Sequence, residues 1–300
     1  MNQTDASPQR IRKFPGRSPY VHLLLPAIAF LALFYLIPLS WIIRVSFYTH
    51  VPGAYMVPAF TAQNYLRLVT DPWYIRNSLW LTLKVALIST LASVVLAYPP
   101  ALLITRSTGK LRRFLLVSVL APLLISMVCL IFGWIVMFRG HGLMNQVLLG
   151  LHLVREPVQW MYNTFGVTLA LIYISIPYVV ISLLDSLQRV DPSWEEAARN
   201  VGANGWQTFL KITLPLSIPG AVSGSMIALT LNICAFAVPL LLGGEKVPMA
   251  GLVAYYQALE VNNLPFGAAI SVMLLLASLL VIFVFQKVLH ALYLKRMEVS

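Results

Sequence analysis

The chain has 300 residues, of which 59% are hydrophobic and 10% are charged. A soluble domain carries about 25% charged residues, so this composition excludes an ordinary soluble protein and indicates a polytopic membrane protein. The formal net charge of +11 does not predict a nucleic-acid partner, because the Lys and Arg residues lie in short clusters between apolar runs, as membrane topology requires.

The first apolar run, from Val21 to Ile43, follows a polar and basic segment over residues 1–20. At about 23 residues the run exceeds the 7–15 residues of the apolar part of a cleavable signal peptide. We therefore predict a tail over 1–20 and a retained first span. Together with a structured external loop up to residue 75, this span makes up the region 21–75.

Five further apolar runs lie within residues 76–293, which we predict to be the core transmembrane domain, followed by a short tail over 294–300. The expected spans cover about 77–104, 114–137, 165–184, 220–242 and 266–288. Each is long enough to cross a hydrocarbon core of about 30 Å. The predicted fold class is therefore an all-α membrane protein with six transmembrane helices. Gly220 and Gly224 further predict close packing of the fifth span against a neighbour.

The distribution of basic residues predicts that both termini are cytoplasmic. With that orientation, the cytoplasmic basic residues are Arg10, Arg12, Lys13, Arg17, Arg106, Lys110, Arg112, Arg113, Arg189, Arg199, Lys211, Lys287, Lys295 and Arg296. The external ones are Arg44, Arg67, Arg76, Arg139, Arg155 and Lys246. Lys84 lies in the second span, where it either reaches the headgroups or lines a pore.

The longest polar interval in the second half of the chain begins near Ser193 and would then lie in the cytoplasm. Ser193 and Glu196 have capping-box spacing, and Asp191-Pro192 is a second start signal for the same short helix. Gly202 is expected to end that helix at a turn with positive φ.

A second short helix is predicted from Trp206 to about Ile212, capped by Asn204 and followed by Pro215 and Pro219. The two helices and their turn form a knob beside the bilayer. We use "knob" for residues 191–213 throughout.

The knob resembles a known signature. Glu196-Ala197-Ala198, Gly202 and Ile212-x-Leu214-Pro215 match the spacing of the EAA motif in permease subunits of binding-protein-dependent ABC importers. The resemblance implies a type I ABC importer permease fold that couples to a cytoplasmic ATPase through the loop 193–215, whose coupling helices dock in a cleft of the ATPase. The expected docking residues are Glu195, Glu196, Ala197, Ala198, Gly202, Asn204, Trp206 and Phe209. The alternative is an ordinary amphipathic interfacial hairpin.

Four other segments resemble permeases of the spermidine/putrescine type. They are Tyr98–Ala101, Arg139–Asn145, Val238–Gly244 and Leu264–Ala269. This resemblance implies a bacterial inner membrane complex with an ABC ATPase, a second permease that is a different chain, and a periplasmic substrate-binding protein. A polyamine is the leading candidate substrate, and an opine, a phosphonate or an amino-acid-like solute is the alternative within the same class.

The sequence contains no pattern for catalysis or for cofactor binding. The single Gly-Lys pair, Gly109-Lys110, lacks the earlier glycine of a nucleotide-binding loop, so ATP is expected to bind a separate chain. The histidines have no metal-ligand spacing, and no catalytic set is clustered. We expect neither an enzyme nor a metal site in this chain. All ten carboxylates lie in predicted loops, tails or span ends, which argues against the remaining alternative, an ion-coupled secondary carrier.

A few polar or aromatic residues inside the spans are candidates for the translocation pathway. They are Tyr98, Thr230 and Asn232, with Phe236 one turn beyond Asn232 as a candidate gate. Such polar groups also bond neighbouring helices, which is the alternative role for Asn232.

Overall fold

The computed structural model describes residues 20–51 and 53–297, and it divides after Arg44 into two units. The predicted tail over 1–20 falls outside the described residues except for Tyr20. Helix α1 (Tyr20–Leu31) continues through a π-helical segment, Ala32–Leu36, into α2 (Ile37–Val45), whose last residue is the first of the second unit. Within residues 20–51 and 53–297, six helical segments are long and apolar enough to cross a membrane, which confirms the predicted number of spans. They are Leu24–Val45, Tyr74–Arg106, Met127–Gly150, Thr164–Leu187, Gly205–Ile233 and Leu264–Lys287.

The loop after the first span is structured, as predicted. Strand β1 (Thr49–Val51) pairs antiparallel with β2 (Ala54–Val57), and helix α3 (Gln63–Thr70) follows. The Nδ2 of Asn64 donates to the backbone oxygens of Ser46 and Tyr48, both at 2.9 Å. These bonds hold α3 against the start of the hairpin.

Three helices form the centre of the second unit: α4 (Trp80–Arg106), α8 (Thr164–Leu187) and α11 (Leu214–Ile233). A π-helical segment, Tyr74–Leu79, precedes α4. A Cβ placed on Gly220 would lie 2.5 Å from the backbone oxygen of Ser182, and one on Gly224 would lie 2.9 Å from the Cα of Val179. The two helix backbones therefore approach too closely for any side chain, which confirms the packing predicted from the small residues.

Asn232 joins all three central helices. Its side chain is buried, Ser175 Oγ in α8 donates to its Oδ1 at 3.0 Å, and its Nδ2 donates to Thr90 Oγ1 in α4 at 3.2 Å. Both polar ends of the amide are thus occupied inside the protein, which favours a packing role over a pathway role for Asn232.

The third span differs from its prediction. Instead of one helix over 114–137, the chain forms α5 (Gly109–Leu124) and α6 (Met127–Phe138), separated by extended backbone at Ile125 and Ser126. The apolar composition continues across this break, because hydropathy reports the environment of a segment and not its backbone angles.

Helix α7 (Leu143–Gly150) follows a turn that is organised by Asn145. Asn145 is fully buried, and its Nδ2 donates to the backbone oxygens of Arg139, Gly140 and Val158. Its Oδ1 accepts from the Val158 N–H and from Trp160 Nε1, both at 3.0 Å. One side chain therefore ties together the two ends of the loop after α6, a role that the sequence pattern did not reveal.

The fifth span also differs. The predicted separate helix from Trp206 to Ile212 is wrong, because α10 (Gly205–Thr208), a π-helical segment (Phe209–Thr213) and α11 form one continuous helical stretch. Pro215 and Pro219 both lie inside this continuous stretch, which accommodates them because membrane helices tolerate proline. At the other end, α11 stops at Ile233 and not at residue 242.

The remaining chain returns across the membrane. The backbone at 234–236 is not helical. The chain then reaches α13 (Leu264–Met297) through a π-helical segment (Pro239–Gly243), a 3-10 turn (Gly244–Lys246), α12 (Ala250–Tyr255) and a second π-helical segment (Tyr256–Glu260). Helix α13 extends beyond the predicted end at 288 and into the segment expected to be a tail over 294–300.

We predict that Asn232→Leu lowers the free energy of unfolding by about 1–2 kcal/mol, because it removes two buried hydrogen bonds between helices. The matched control is Thr230→Val, which should cost less than about 0.5 kcal/mol, since the exposed Thr230 hydroxyl only bonds the Met226 carbonyl of its own helix. Unfolding of the detergent-solubilised protein measures both. Equal stabilities for the two variants would contradict the role given to Asn232.

Candidate coupling site

The first helix of the knob, α9 (Pro192–Asn200), begins at Asp191. The Asp191 carboxylate accepts the Ser193 N–H at 2.9 Å, and this bond lowers the pKa of Asp191 from its usual value. Pro192 occupies the first helical position, where an N–H has no intrahelical partner. Of the two start signals in the sequence, Asp191-Pro192 is therefore the one used, and the capping box of Ser193 and Glu196 does not form.

The turn after α9 needs a residue that tolerates positive φ, and Gly202 supplies it. Gly202 has a φ of 88°, and a Cβ added there would meet no atom within 4 Å. The N–H groups of Gly202 and Ala203 bond the Arg199 and Ala198 carbonyls at 2.9 and 3.0 Å. The turn thus closes α9 with a left-handed residue, as predicted, and space is not the constraint.

The second helix begins with a capping box at Asn204. The Gln207 N–H donates to Asn204 Oδ1 at 2.8 Å, and the Asn204 N–H donates to Gln207 Oε1 at 3.0 Å. This confirms Asn204 as the cap of the second helix. The chain direction into α10 and α11 is therefore set by reciprocal bonds within four residues.

Glu195 connects the knob to two membrane helices. Arg106 Nη2, at the end of α4, donates to both Glu195 carboxylate oxygens at 3.0 Å, and Thr213 Oγ1, just before α11, donates to Oε1 at 2.7 Å. Only 19% of the Glu195 side chain is exposed. Glu195 therefore faces inward and braces α9 against the two membrane helices, and the docking or coupling role expected for it stays a prediction.

The charge of Glu195 is stabilised by its partners. Burial alone would raise its pKa, but hydrogen bonds from Thr213 and Arg106, together with the positive charges of Arg106 and Arg199, outweigh burial and hold the pKa below its usual value. The contribution of this contact is present above the usual pKa of Glu and is lost as the pH falls through the lowered pKa. The brace is thus intact at neutral pH.

The outward surface of the knob carries large apolar side chains, although most residues of the segment are polar. Trp194, Val201 and Trp206 have exposed fractions of 62%, 85% and 68%. Glu196 and Ala197 are exposed beside them, whereas Ala198 is half-buried. Large exposed apolar side chains among polar neighbours are typical of a surface that another protein covers. Trp194 and Val201 were not among the residues expected on this surface.

Phe209 and Tyr98 lie together on the membrane side of the knob. Their rings meet edge-on with centroids 5.9 Å apart, and the Trp206 ring lies 5.6 Å from Phe209. The Tyr98 hydroxyl bonds Ser217 Oγ at 3.1 Å. Tyr98, a candidate pathway residue, therefore connects α4 to the knob and to α11.

The other candidate pathway residues occupy different surroundings. Thr230 and Phe236 are exposed on the surface of the chain, and the Phe236 ring stacks on Tyr255 with centroids 5.8 Å apart. Asn232, which lies between these two residues in the sequence, is buried, as described above. Across the part of the chain that the structure describes, no group of three or more His, Cys, Asp or Glu side chains is placed to hold a metal ion.

Comparison with known proteins identifies the family. Residues 89–296 match the family described as the inner membrane component of binding-protein-dependent transport systems. The chain is 34% identical over 260 residues to the spermidine/putrescine transport system permease protein PotB of Escherichia coli K12, covering 87% of this chain and 94% of that protein. It is 33% identical over 273 residues to PotB of Salmonella typhimurium SL1344, covering 91% and 94%.

Solved structures show the same fold. A chain of a bacterial ABC transporter involved in the import of the acidic polysaccharide alginate superposes with a TM-score of 0.70 at 19% identity, covering 90% of this chain and 94% of that one. A chain of the MetNI methionine ABC transporter, in an inward-facing conformation, superposes with a TM-score of 0.57 at 20% identity, covering 77% and 99%. The chain therefore belongs to the family of inner membrane components of binding-protein-dependent transport systems and has the fold of a type I ABC importer permease.

Proposed function

We propose that this chain forms half of the translocation pathway of an ATP-driven importer for a polyamine such as spermidine or putrescine. The observation that carries the proposal is the 34% identity to a spermidine/putrescine permease over 87% of the chain. Similarity of that extent includes the spans as well as the knob, so it bears on the pathway and not on the coupling signature alone.

The proposed complex contains a second permease, an ABC ATPase that binds ATP, and a periplasmic substrate-binding protein. One structural neighbour was solved with a periplasmic protein that carries its substrate, which supports this kind of assembly. The basic residues favour cytoplasmic termini, with the knob on the ATPase side of the membrane. In this scheme 76–293 is the transport core, and 21–75 adds the first span and the first external loop.

The contacts of the knob would transmit a movement of its surface to the membrane helices. Its second helix continues without interruption from Gly205 to Ile233, and its first helix is braced on α4 and on the start of α11 through Glu195. A displacement of the exposed surface around Trp194, Val201 and Trp206 would therefore move membrane helices directly. We assign the ATPase docking surface to these residues together with Glu196 and Ala197.

We expect proteoliposomes that contain all the proposed subunits to take up labelled spermidine or putrescine only when ATP is present and this chain is included. Omitting this chain is the control, and this chain alone should show no ATP hydrolysis because its sequence has no nucleotide-binding loop. Uptake by this chain alone, driven by an ion gradient, would instead establish a secondary carrier. Uptake restricted to an opine or phosphonate would refute the polyamine assignment.

Substitutions of Gly202 separate a backbone requirement from a steric one. Gly202→Val should cost roughly 1–2 kcal/mol in the turn, because a β-branched residue is strained at positive φ. We expect it to reach the membrane at near-normal levels but to lose ATPase co-purification and transport. Gly202→Asn is the matched control and should retain most of both, since Asn tolerates this region better. A Gly202→Val protein with normal binding and uptake would show that the knob is merely an interfacial hairpin.

The brace at Glu195 is tested by Arg106→Ala. The substitution removes two charge-assisted hydrogen bonds and should loosen α9 by about 1 kcal/mol, allowing for the half-exposed guanidinium. We expect the substrate transported per ATP hydrolysed to fall by roughly fivefold, while assembly persists. The matched control is Arg189→Ala, which breaks an equally short but exposed pair with Asp185. If both variants transport equally well per ATP, the brace does not take part in coupling.

A further inference from the structure

A cavity of about 360 Å³ lies at the end of the second unit that is opposite the knob. Helix α4 ends at Arg106, which bonds the knob, and extends about 40 Å from there to Trp80. The cavity lies beyond that far end, and the basic residues predict that this face is external. We call it the external cavity. Its polar and aromatic lining residues are Asp71, Trp73, Tyr74, Glu245, Tyr256 and Gln257.

Two segments that are far apart in the sequence bring two carboxylates to the external cavity. Asp71 follows α3, and its Oδ1 accepts the Trp73 N–H at 3.0 Å, which holds this carboxylate at the start of the helical stretch before α4. Glu245 lies in the 3-10 turn before α12, and the buried Leu252 and Val253 of α12 line the same cavity. The cavity is therefore shaped by tertiary packing and not by a single loop.

No basic side chain neutralises these two carboxylates in the part of the chain that the structure describes. The two ion pairs found there both lie towards the knob. Among the same residues, no Lys, Arg or His lines the cavity, and the neighbouring Arg67 donates to the Tyr74 hydroxyl at 3.4 Å and not to a carboxylate. Since Asp and Glu are ionised at neutral pH, the cavity attracts positive charge.

Aromatic side chains face the same space. Trp73 has an exposed fraction of 42%, and its ring is held edge-on to that of Tyr74 with centroids 5.2 Å apart. Tyr256 contributes a second aromatic ring from the segment after α12. Aromatic faces attract cations, and Trp does so most strongly. A bare divalent metal ion would need about six or more oxygen ligands, so rings beside two carboxylates favour an organic cation.

We propose that the external cavity binds the ammonium groups of the substrate before it enters the pathway. The ammonium N–H groups donate to the carboxylates of Asp71 and Glu245, the Trp73 ring contacts the charge, and the apolar floor accepts methylene groups. The volume falls within the range of small-ligand pockets. The identity of the cation as a polyamine rests on the proposed function, whereas the preference for an ammonium group rests on the lining of the cavity.

Modification of Gln257→Cys tests the proposal in the assembled complex, with Cys129→Ser, Cys234→Ser and the cysteines of the other subunits replaced. Without the binding protein, we expect a cationic methanethiosulfonate reagent to react about 10-fold faster than an anionic one, after correction for their rates with a free thiol. Adding Asp71→Asn and Glu245→Gln should abolish that difference, while Asn can still accept the backbone N–H two residues on. Equal corrected rates before this addition, or no reaction with either reagent, would overturn the proposal.

Competition identifies the ligand. Putrescine should slow the cationic reaction at constant ionic strength, whereas butanediol, which has the same carbon chain with neutral ends, should not. Trp73→Leu should weaken this protection severalfold, and Trp73→Phe should retain most of it. Protection by the substrate-free binding protein but not by putrescine would refute the proposal and assign the cavity to protein docking. Protection by putrescine in a complex that transports no polyamine would support the cation site and refute the polyamine assignment.

The matched control is Gln63→Cys. Gln63 is exposed on α3, lies about 12 Å from Asp71 along that helix, and does not line the cavity. Because salt screens charges over about 8 Å at physiological ionic strength, the charge preference should be much smaller there, and putrescine should give no protection. An equal preference and equal protection at Gln63 would overturn the assignment to the external cavity.

Discussion

The close approach of α8 and α11 is the contact on which the rest of the described second unit depends. In a bilayer, burial of apolar surface does not drive helices together, so association relies on close packing and on hydrogen bonds between helices. Gly220 and Gly224 provide the close packing, against Ser182 and Val179 of α8. Asn232 provides the hydrogen bonds, which reach α4 as well as α8. With these three helices fixed, the knob and the break of the fifth span both have defined positions.

The two ends of α11 serve different purposes because of this anchorage. Below the contact, the helix continues into the knob, where Glu195 and Phe209 connect it to the end of α4. Above the contact, the helix stops at Ile233 and the chain leaves helical geometry at 234–236. A single helix thus connects the proposed ATPase-docking surface to the centre of the described helical bundle.

Much of the fold could be predicted from the sequence, because apolar length determines the spans and local chemistry determines the caps. The six spans, the Asn204 cap and the positive φ of Gly202 follow from neighbouring residues. The breaks at 125–126 and 234–236 could not be predicted, since no change in hydropathy marks them. Contacts across long sequence separations, such as Arg106 with Glu195 and Asn145 with Trp160, depend on tertiary packing. Pro215 and Pro219 were misleading because membrane helices tolerate proline.

The uninterrupted helix from Gly205 to Ile233 makes its closest backbone contacts and its buried asparagine bonds in the half that lies away from the knob. Its 29 residues give a length of about 43 Å at 1.5 Å per residue, and the contacts of Gly220, Gly224 and Asn232 all lie in the second half of that length. A tilt of about 5° about Gly224 would displace the Trp206 end by about 2 Å and the Ile233 end by about 1 Å. A displacement of the knob would therefore reach the other end of the helix reduced by about half.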